Sequence, residues 1–121
     1  MKRLLIISLI ILSASITAGV YSQNLTPPQF PGGKLTFSNF LHKNLKWPDP
    51  AIDAQGNVII SFFVEKDGRL TDIKVDRSLS KQFDAEAIRV INLSPKWIPA
   101  SKNNKFIKSR YTVPISFTLN E

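Results

Sequence analysis

The pattern that most restricts this chain lies near its end, where residues 110–121 read RYTVPISFTLNE. Tyr111, Val113, Ile115, Phe117 and Leu119 alternate with Arg110, Thr112, Pro114, Ser116, Thr118 and Asn120, so one side is mainly apolar and the other polar. Such period-two alternation predicts a strand with one face in a core. Pro114 stands in its middle. Proline has no backbone N–H, so a strand flanked on both sides would lose a ladder hydrogen bond there, and proline in sheets is confined mostly to edges and bulges. The most regular strand of the chain is therefore expected at an edge of its sheet or at a bulge.

Two further strands are legible upstream. In NVIISFFVE, residues 57–65, Val58, Ile60, Phe62 and Val64 share one face and Ile59, Ser61 and Phe63 the other. Apolar character on both faces predicts a central strand. Asp67 and Gly68 follow, a short-range hairpin signal because the turn needs residues that accept positive φ. The return strand, from Leu70 to about Ser78, places Ile73 and Val75 on one face and Asp72, Lys74 and Asp76 on the other.

Two segments have helical spacing. Leu35, Phe37, Phe40, Leu41 and Leu45 predict a short amphipathic helix, ended by KWPDP at residues 46–50 because each proline disfavours helix in the residue before it. Asp84 is the candidate N-cap of a second helix running to about Leu93, with Phe83 and Ile88 placed as a hydrophobic staple. Phe83, Ala87, Val90 and Ile91 form its apolar stripe, and Pro95 ends it. SKNNK, residues 101–105, reads as a polar turn into the last strand. Trp47 and Trp97, each near a proline at a helix end, are predicted to close the ends of a small core.

The order helix, strand, strand, helix, strand predicts an α+β fold. With a right-handed crossover it gives a three-stranded antiparallel sheet in the order second, first, third, with both helices on one face. A length of 121 residues with 43% apolar content suits one domain, over residues 34–121, behind an extended lead-in at 23–33 rich in proline and glycine. Residues 1–22 hold a basic head, an apolar run from Leu4 to Leu12 and then small residues. That order predicts a secretory signal, cleaved after Gly19 or Ser22, or else a retained inner-membrane anchor over residues 4–21. Either way the rest is exported.

Composition narrows the chemistry. No cysteine is present, which excludes disulfides, thiolate metal sites and a lipid-anchored lipoprotein. His42 is the only histidine, with no oriented partner foreseeable for general base chemistry, and a surface or capping role is expected. Asp84 and Glu86 are explained by the N-terminal end of a helix. Gly32 and Gly33 are followed by no GK[ST] and are read as a tight turn, and no spacing suggests a metal site. Neither an enzyme nor a cofactor is expected. The formal charge of +7 favours anionic surroundings, but no signature of a nucleic-acid reader accompanies it, and no nucleic-acid partner is expected. Lys96, Lys102, Lys105, Lys108 and Arg110 lie in a stretch free of carboxylates between Glu86 and Glu121. Lys102, Lys105, Lys108 and Arg110 are read as a basic patch that steers an acidic segment towards the last strand.

Backbone groups of successive strand residues point to alternate sides, so Thr112, Ser116 and Thr118 share the parity of Pro114 and face the open edge. Two readings follow. Pro114 blunts the edge against unwanted pairing, or an extended peptide adds a strand there and pairs on either side of the proline.

FPGG (Phe30 to Gly33), NLKWP (Asn44 to Pro48), GNVIISFFVEKDGRLTDIKVDRS (Gly56 to Ser78), FDAEAIRVI (Phe83 to Ile91), PKWIPA (Pro95 to Ala100) and YTVPISF (Tyr111 to Phe117) together resemble the C-terminal domain of the TonB family, in the form common in Bacteroidetes. The resemblance covers nearly all of the chain after the N-terminal apolar run, and it rests on the order and spacing of these pieces. It implies a small antiparallel sheet with two helices, a periplasmic site, and binding of the TonB box of TonB-dependent outer-membrane receptors along the last strand. The binding residues implied are Arg110, Tyr111, Thr112, Val113, Pro114, Ile115, Ser116, Phe117 and Thr118. In full-length transducers of the family the domain is tied to the inner membrane by a long proline-rich linker and works with ExbB and ExbD. Here only about ten residues separate the apolar N-terminus from Phe30, a reach of about 35 Å at the extended limit. The expectation is thus a stand-alone domain, soluble or held close to the inner membrane, with ExbB and ExbD as partners only if anchored. The open edge also allows a strand-paired homodimer.

Overall fold

The structure, a computed structural model, describes residues 24–48 and 55–118. Expectations for the signal or anchor at 1–22 fall outside these residues. The fold is α+β. Its main sheet comprises β2 (Gly56–Val64), β3 (Leu70–Arg77) and β6 (Ser109–Phe117), all antiparallel and in the order β3-β2-β6. β2 is central and β6 is an edge.

The core follows from the alternation. Val58, Ile60, Phe62 and Val64 of β2 and Val113, Ile115 and Phe117 of β6 are buried on one face. Against it lies α2 (Lys81–Asn92), whose stripe of Phe83, Ala87, Val90 and Ile91 is buried. α1 (Lys34–Asn44) lays Phe37, Phe40 and Leu41 on the same cluster, and Leu45 and Trp47 continue that contact beyond the helix. Leu35 does not join them and is 75% exposed. It lies about 200° around the helix from Phe37, so it cannot share that stripe.

β3 holds its register by two irregularities. Asp76 is extra between the pairs Ile59–Arg77 and Ile60–Val75, and a second extra residue falls between Ser61–Lys74 and Phe63–Thr71. Asp72, with φ of 50°, lies in the second. The added residue lets both Leu70 and Ile73 pack on the core, although they are three apart and simple alternation would separate them. The turn between β2 and β3 places Lys66 and Asp67 at its centre, closed by the Gly68 N–H to the Glu65 carbonyl at 2.9 Å. Of the Asp67-Gly68 pair only Gly68 takes positive φ, at 92°, so this is the longer hairpin loop and not the two-residue form.

The second helix begins earlier than Asp84. Ser80 is the N-cap, extended at φ −162° and ψ 167°, and its Oγ accepts the Phe83 N–H at 3.3 Å. Asp84 instead reaches back to accept the Leu79 N–H at 3.0 Å, tying down the entering chain. Ser80→Ala is expected to cost about 1 kcal/mol, the usual worth of such a cap, read as a lower urea midpoint with an unchanged slope.

A second three-stranded sheet is also present, which the sequence pattern alone does not foresee. β1 (Leu25–Thr26), β4 (Ala100–Lys102) and β5 (Lys105–Ile107) are ordered β1-β4-β5. SKNNK is therefore a hairpin and not a simple lead into β6: Asn103 and Asn104 take φ of 52° and 67°, the paired positive values a two-residue hairpin turn needs. Gln29 and Ile98 exchange backbone hydrogen bonds of 3.0 and 2.8 Å, which seats Phe30 edge-on to Trp97 in the core. FPGG then turns the chain: Pro31 and Gly32 are the central residues, Gly32 has φ of 88°, and the Gly33 N–H closes on the Phe30 carbonyl at 2.8 Å. This turn sets the direction in which α1 leaves.

Candidate functional site

The open edge of β6 is shaped by its pairing with β2. Ile59 stands opposite Pro114 and Ile60 opposite Val113. Pro114 has no N–H to give β2, so its position belongs to the non-hydrogen-bonded pairs, whose backbone groups point away from the partner. Thr112 and Ser116 share that parity. Their side chains are exposed along with that of Pro114, while Val113, Ile115 and Phe117 between them are buried. Among the described residues no strand pairs with this outer side of β6.

α1 runs alongside and turns the edge into a groove of about 560 Å³. Residues 111–118 form one wall; Lys34, Phe37, Ser38, Leu41, His42 and Leu45, followed by Lys46 and Trp47, form the other. Aromatic contacts fix the relative direction. Phe37 meets Trp97 at 5.3 Å and Trp97 meets Tyr111 at 5.5 Å, whereas Trp47 meets Phe117 at 6.3 Å. The start of α1 thus lies beside Tyr111 and its end beside Phe117, so helix and strand run the same way.

The end of α1 is held by α2. Arg89 Nη2 donates to the Asn44 carbonyl at 2.8 Å, and Glu86 accepts the Lys46 N–H at 2.7 Å while pairing with Arg89 at 2.7 Å. Burial pushes the Glu86 carboxyl up, but the bonds from Arg89 and from the Lys46 N–H outweigh it and hold the group below the usual carboxylate range. The arrangement offers hydrogen-bonding backbone beside an apolar wall. Thr112 and Ser116 present both N–H and C=O outward and Pro114 its C=O alone, a ladder with one missing rung. Among the described residues no group of three His, Asp or Glu is placed to hold a metal ion.

The sequence-predicted site residues divide. Tyr111, Thr112, Val113, Pro114, Ile115, Ser116, Phe117 and Thr118 line the groove, but Arg110 does not. Its guanidinium lies across the uncovered face of the sheet, bonded to Asp72 and to Ser61 Oγ at 3.1 Å each and placed 4.5 Å from the Phe63 ring centroid. Lys108 covers the same ring at 4.4 Å and pairs with Glu65 at 3.4 Å. Lys102 and Lys105 face each other across the β4–β5 hairpin. None of these four cations lines the groove. The cations that do, Lys34 and Lys46, come from the far wall, as does His42, which is exposed there. Sequence reasoning found the helix that carries Lys34 and His42 but not its place beside β6; the FPGG turn was the signal that aims it.

With this geometry in view, the comparisons agree with the fold. The family model described as Gram-negative bacterial TonB protein C-terminal matches residues 44–119, and the chain belongs to that family. It is a TonB-type domain of TonB-dependent transport. Domains of this family are periplasmic in general and interact with outer-membrane receptors. No curated protein and no solved structure matches the chain. The matched segment contains β6 whole but reaches only the last residue of α1, so most of the second wall lies ahead of it. Among the described residues no helix is long and apolar enough to cross a membrane.

Proposed function

We propose that this chain is a periplasmic, non-enzymatic domain that binds the TonB box of an outer-membrane receptor by adding it as a strand to β6. The observation that carries this reading is the groove along the outer side of β6, with outward backbone groups on one wall and Phe37, Leu41 and Leu45 on the other. An extended peptide there gains main-chain pairing from Thr112 and Ser116 and buries alternate side chains against α1. Pro114 serves both earlier readings: its missing donor weakens indiscriminate pairing, while the groups on either side remain for a peptide held by the helix wall.

The test is titration of the isotope-labelled protein, as exported and processed by the cell, with TonB-box peptides from receptors of the same organism. Amide shifts should centre on Thr112, Ser116 and Thr118, with side-chain shifts at Leu41 and Leu45. Shifts confined to the β4–β5 hairpin, or none with any peptide, would sink strand addition at β6.

A second reading, an envelope adaptor that binds peptides without transducing energy, is favoured by one observation. β1 is already paired with β4 at Leu25. In a form anchored through residues 4–21, only residues 22–24 separate the anchor from β1, a reach of roughly 14 Å at the fully extended limit. ExbB and ExbD remain partners only of such an anchored form.

A further inference from the structure

We infer that the tip of the β4–β5 hairpin is a docking element for an anionic phospholipid surface. Lys102, Asn103, Asn104, Lys105 and Phe106 are exposed in succession, and Phe106 is 57% exposed. At the other end of the hairpin Ala100 is buried and its partner Ile107 half-buried. The hairpin is therefore seated on the domain at its base and free of it at its tip. Neither Lys102 nor Lys105 forms an ion pair among the described residues, whereas Lys108 and Arg110 are engaged by carboxylates. None of residues 102–106 lines the groove on β6, and the inference does not rest on strand addition.

Strand pairing sorts the tip into two faces. Leu25, Lys102 and Lys105 stand in one row across β1, β4 and β5, and Thr26, Ser101 and Phe106 stand in the next. Adjacent rows point to opposite faces of a sheet. The tip thus carries two ammonium groups on one side, an aromatic ring on the other and two amide side chains at its turn. A tip-first approach sinks the ring into the boundary between headgroups and acyl chains, and the lysine stems let both ammonium groups stay at the phosphates. No carboxylate side chain occurs in residues 24–48 or 87–118, which build α1, the small sheet and β6. An anionic surface therefore meets no repelling group on the strands that carry the tip.

The path of the chain brings this tip to where a bilayer would be. The Asn103 N–H donates to the Asn24 carbonyl at 2.9 Å, so the turn of the hairpin and the start of the described chain are one place. In sequence, the apolar run read as a signal or anchor extends to about Tyr21. Three residue steps separate Tyr21 from Asn24, a reach of about 11 Å at the extended limit. That is close to the screening length of about 8–10 Å at moderate salt, so in an anchored form both lysines feel the charge of the headgroups. In a form cleaved after Gly19 or Ser22 the same tip makes the contact without a tether.

Because the chain has no cysteine, a single nitroxide label can report the contact. The exported protein, as processed by the cell, carries the label at Phe106→Cys in one sample and at Lys74→Cys, an exposed position on β3, in another. It is mixed with vesicles of equal parts phosphatidylglycerol and phosphatidylcholine, or reconstituted into them if anchored. The label at 106 should lose most of its contact with a water-soluble nickel chelate and gain contact with oxygen, while the label at 74 keeps its solution values. Lys102→Gln with Lys105→Gln should weaken vesicle binding of a soluble form at least about tenfold, and abolish protection of the label in either form. Lys43→Gln with Lys74→Gln, which removes two exposed lysines elsewhere, should change binding less than about threefold. Equal behaviour of the two labels, or equal losses in the two double variants, would overturn the docking role of the hairpin. The same protection by phosphatidylcholine alone would overturn the requirement for anionic lipid, and equal protection by soluble polyglutamate would overturn the bilayer in favour of a polyanion.

Discussion

Trp97→Ala should cost about 3–5 kcal/mol, the range for removing a large aromatic from a core. Trp97 is 4% exposed and lies at a junction. Its ring centroid is within 5.8 Å of those of Phe30 from the lead-in, Phe37 from α1, Phe62 from β2 and Tyr111 from β6. Its Nε1 donates to Ser94 Oγ at 2.9 Å, so the one polar atom of the ring is satisfied. Truncation removes apolar contacts on all four sides and leaves a cavity that rigid strands on two of them cannot collapse to fill. Domains of this size are stable by roughly 5–15 kcal/mol, so the loss is a large part of the total. Circular dichroism in urea should show the midpoint falling steeply. Trp47→Ala, at a half-buried position against Phe83 and Phe117, should lower it less. A Trp97→Ala midpoint no lower than that of Trp47→Ala would refute the role of Trp97 as the joint between lead-in, helix and sheet.

That junction also marks where the sequence stops being readable. The strands of the main sheet were legible because their signals are local: alternation in β6, apolar character on both faces of β2, glycine in the turn. Pro114 together with the order of the elements put β6 at an edge. The small sheet was not legible, because β1 and β5 are three residues or fewer and neither has room for a repeating pattern. Only Asn103 and Asn104, residues that tolerate positive φ, hinted at the hairpin. Asp84 was misread as a cap because Asp is as good a cap as Ser, and the choice is made by where Phe83 must enter the core. At the site, the strand wall was visible and the helix wall was not. Whether a helix lies beside an edge or over the middle of a sheet is decided by the turn at Pro31 and Gly32 and by Phe30 docking on Trp97, contacts between residues far apart in the chain. The placement of two cations of the basic patch was hidden for a related reason. Lys108 and Arg110 are adjacent to β6 in sequence, but Glu65 and Asp72 on neighbouring strands engage them on the other face of the sheet.

The sharpest functional consequence concerns Thr112. Thr112→Pro should lower peptide affinity at least about tenfold while leaving the fold in place. Its N–H points to the open edge, so the main sheet gives up no hydrogen bond when the donor is removed, and Pro114 shows that β6 accepts a proline at this parity. For a bound peptide the change is larger than one lost bond, worth about 0.5–1.5 kcal/mol. The ring also fills the space where the peptide carbonyl must come. With Pro114 two residues on, two successive outward positions would then lack donors, leaving Arg110 and Ser116, six residues apart, as the outward-facing N–H groups within β6. Thr112→Val keeps the N–H and changes only the side chain, so its affinity should stay within about twofold of the parent. If Thr112→Pro and Thr112→Val bind a TonB-box peptide equally well, with circular dichroism unchanged in both, the peptide does not pair with the backbone of β6. If the proline variant alone loses binding, the missing donor at Pro114 becomes a built-in gap in the ladder, one that a partner can tolerate once but not twice.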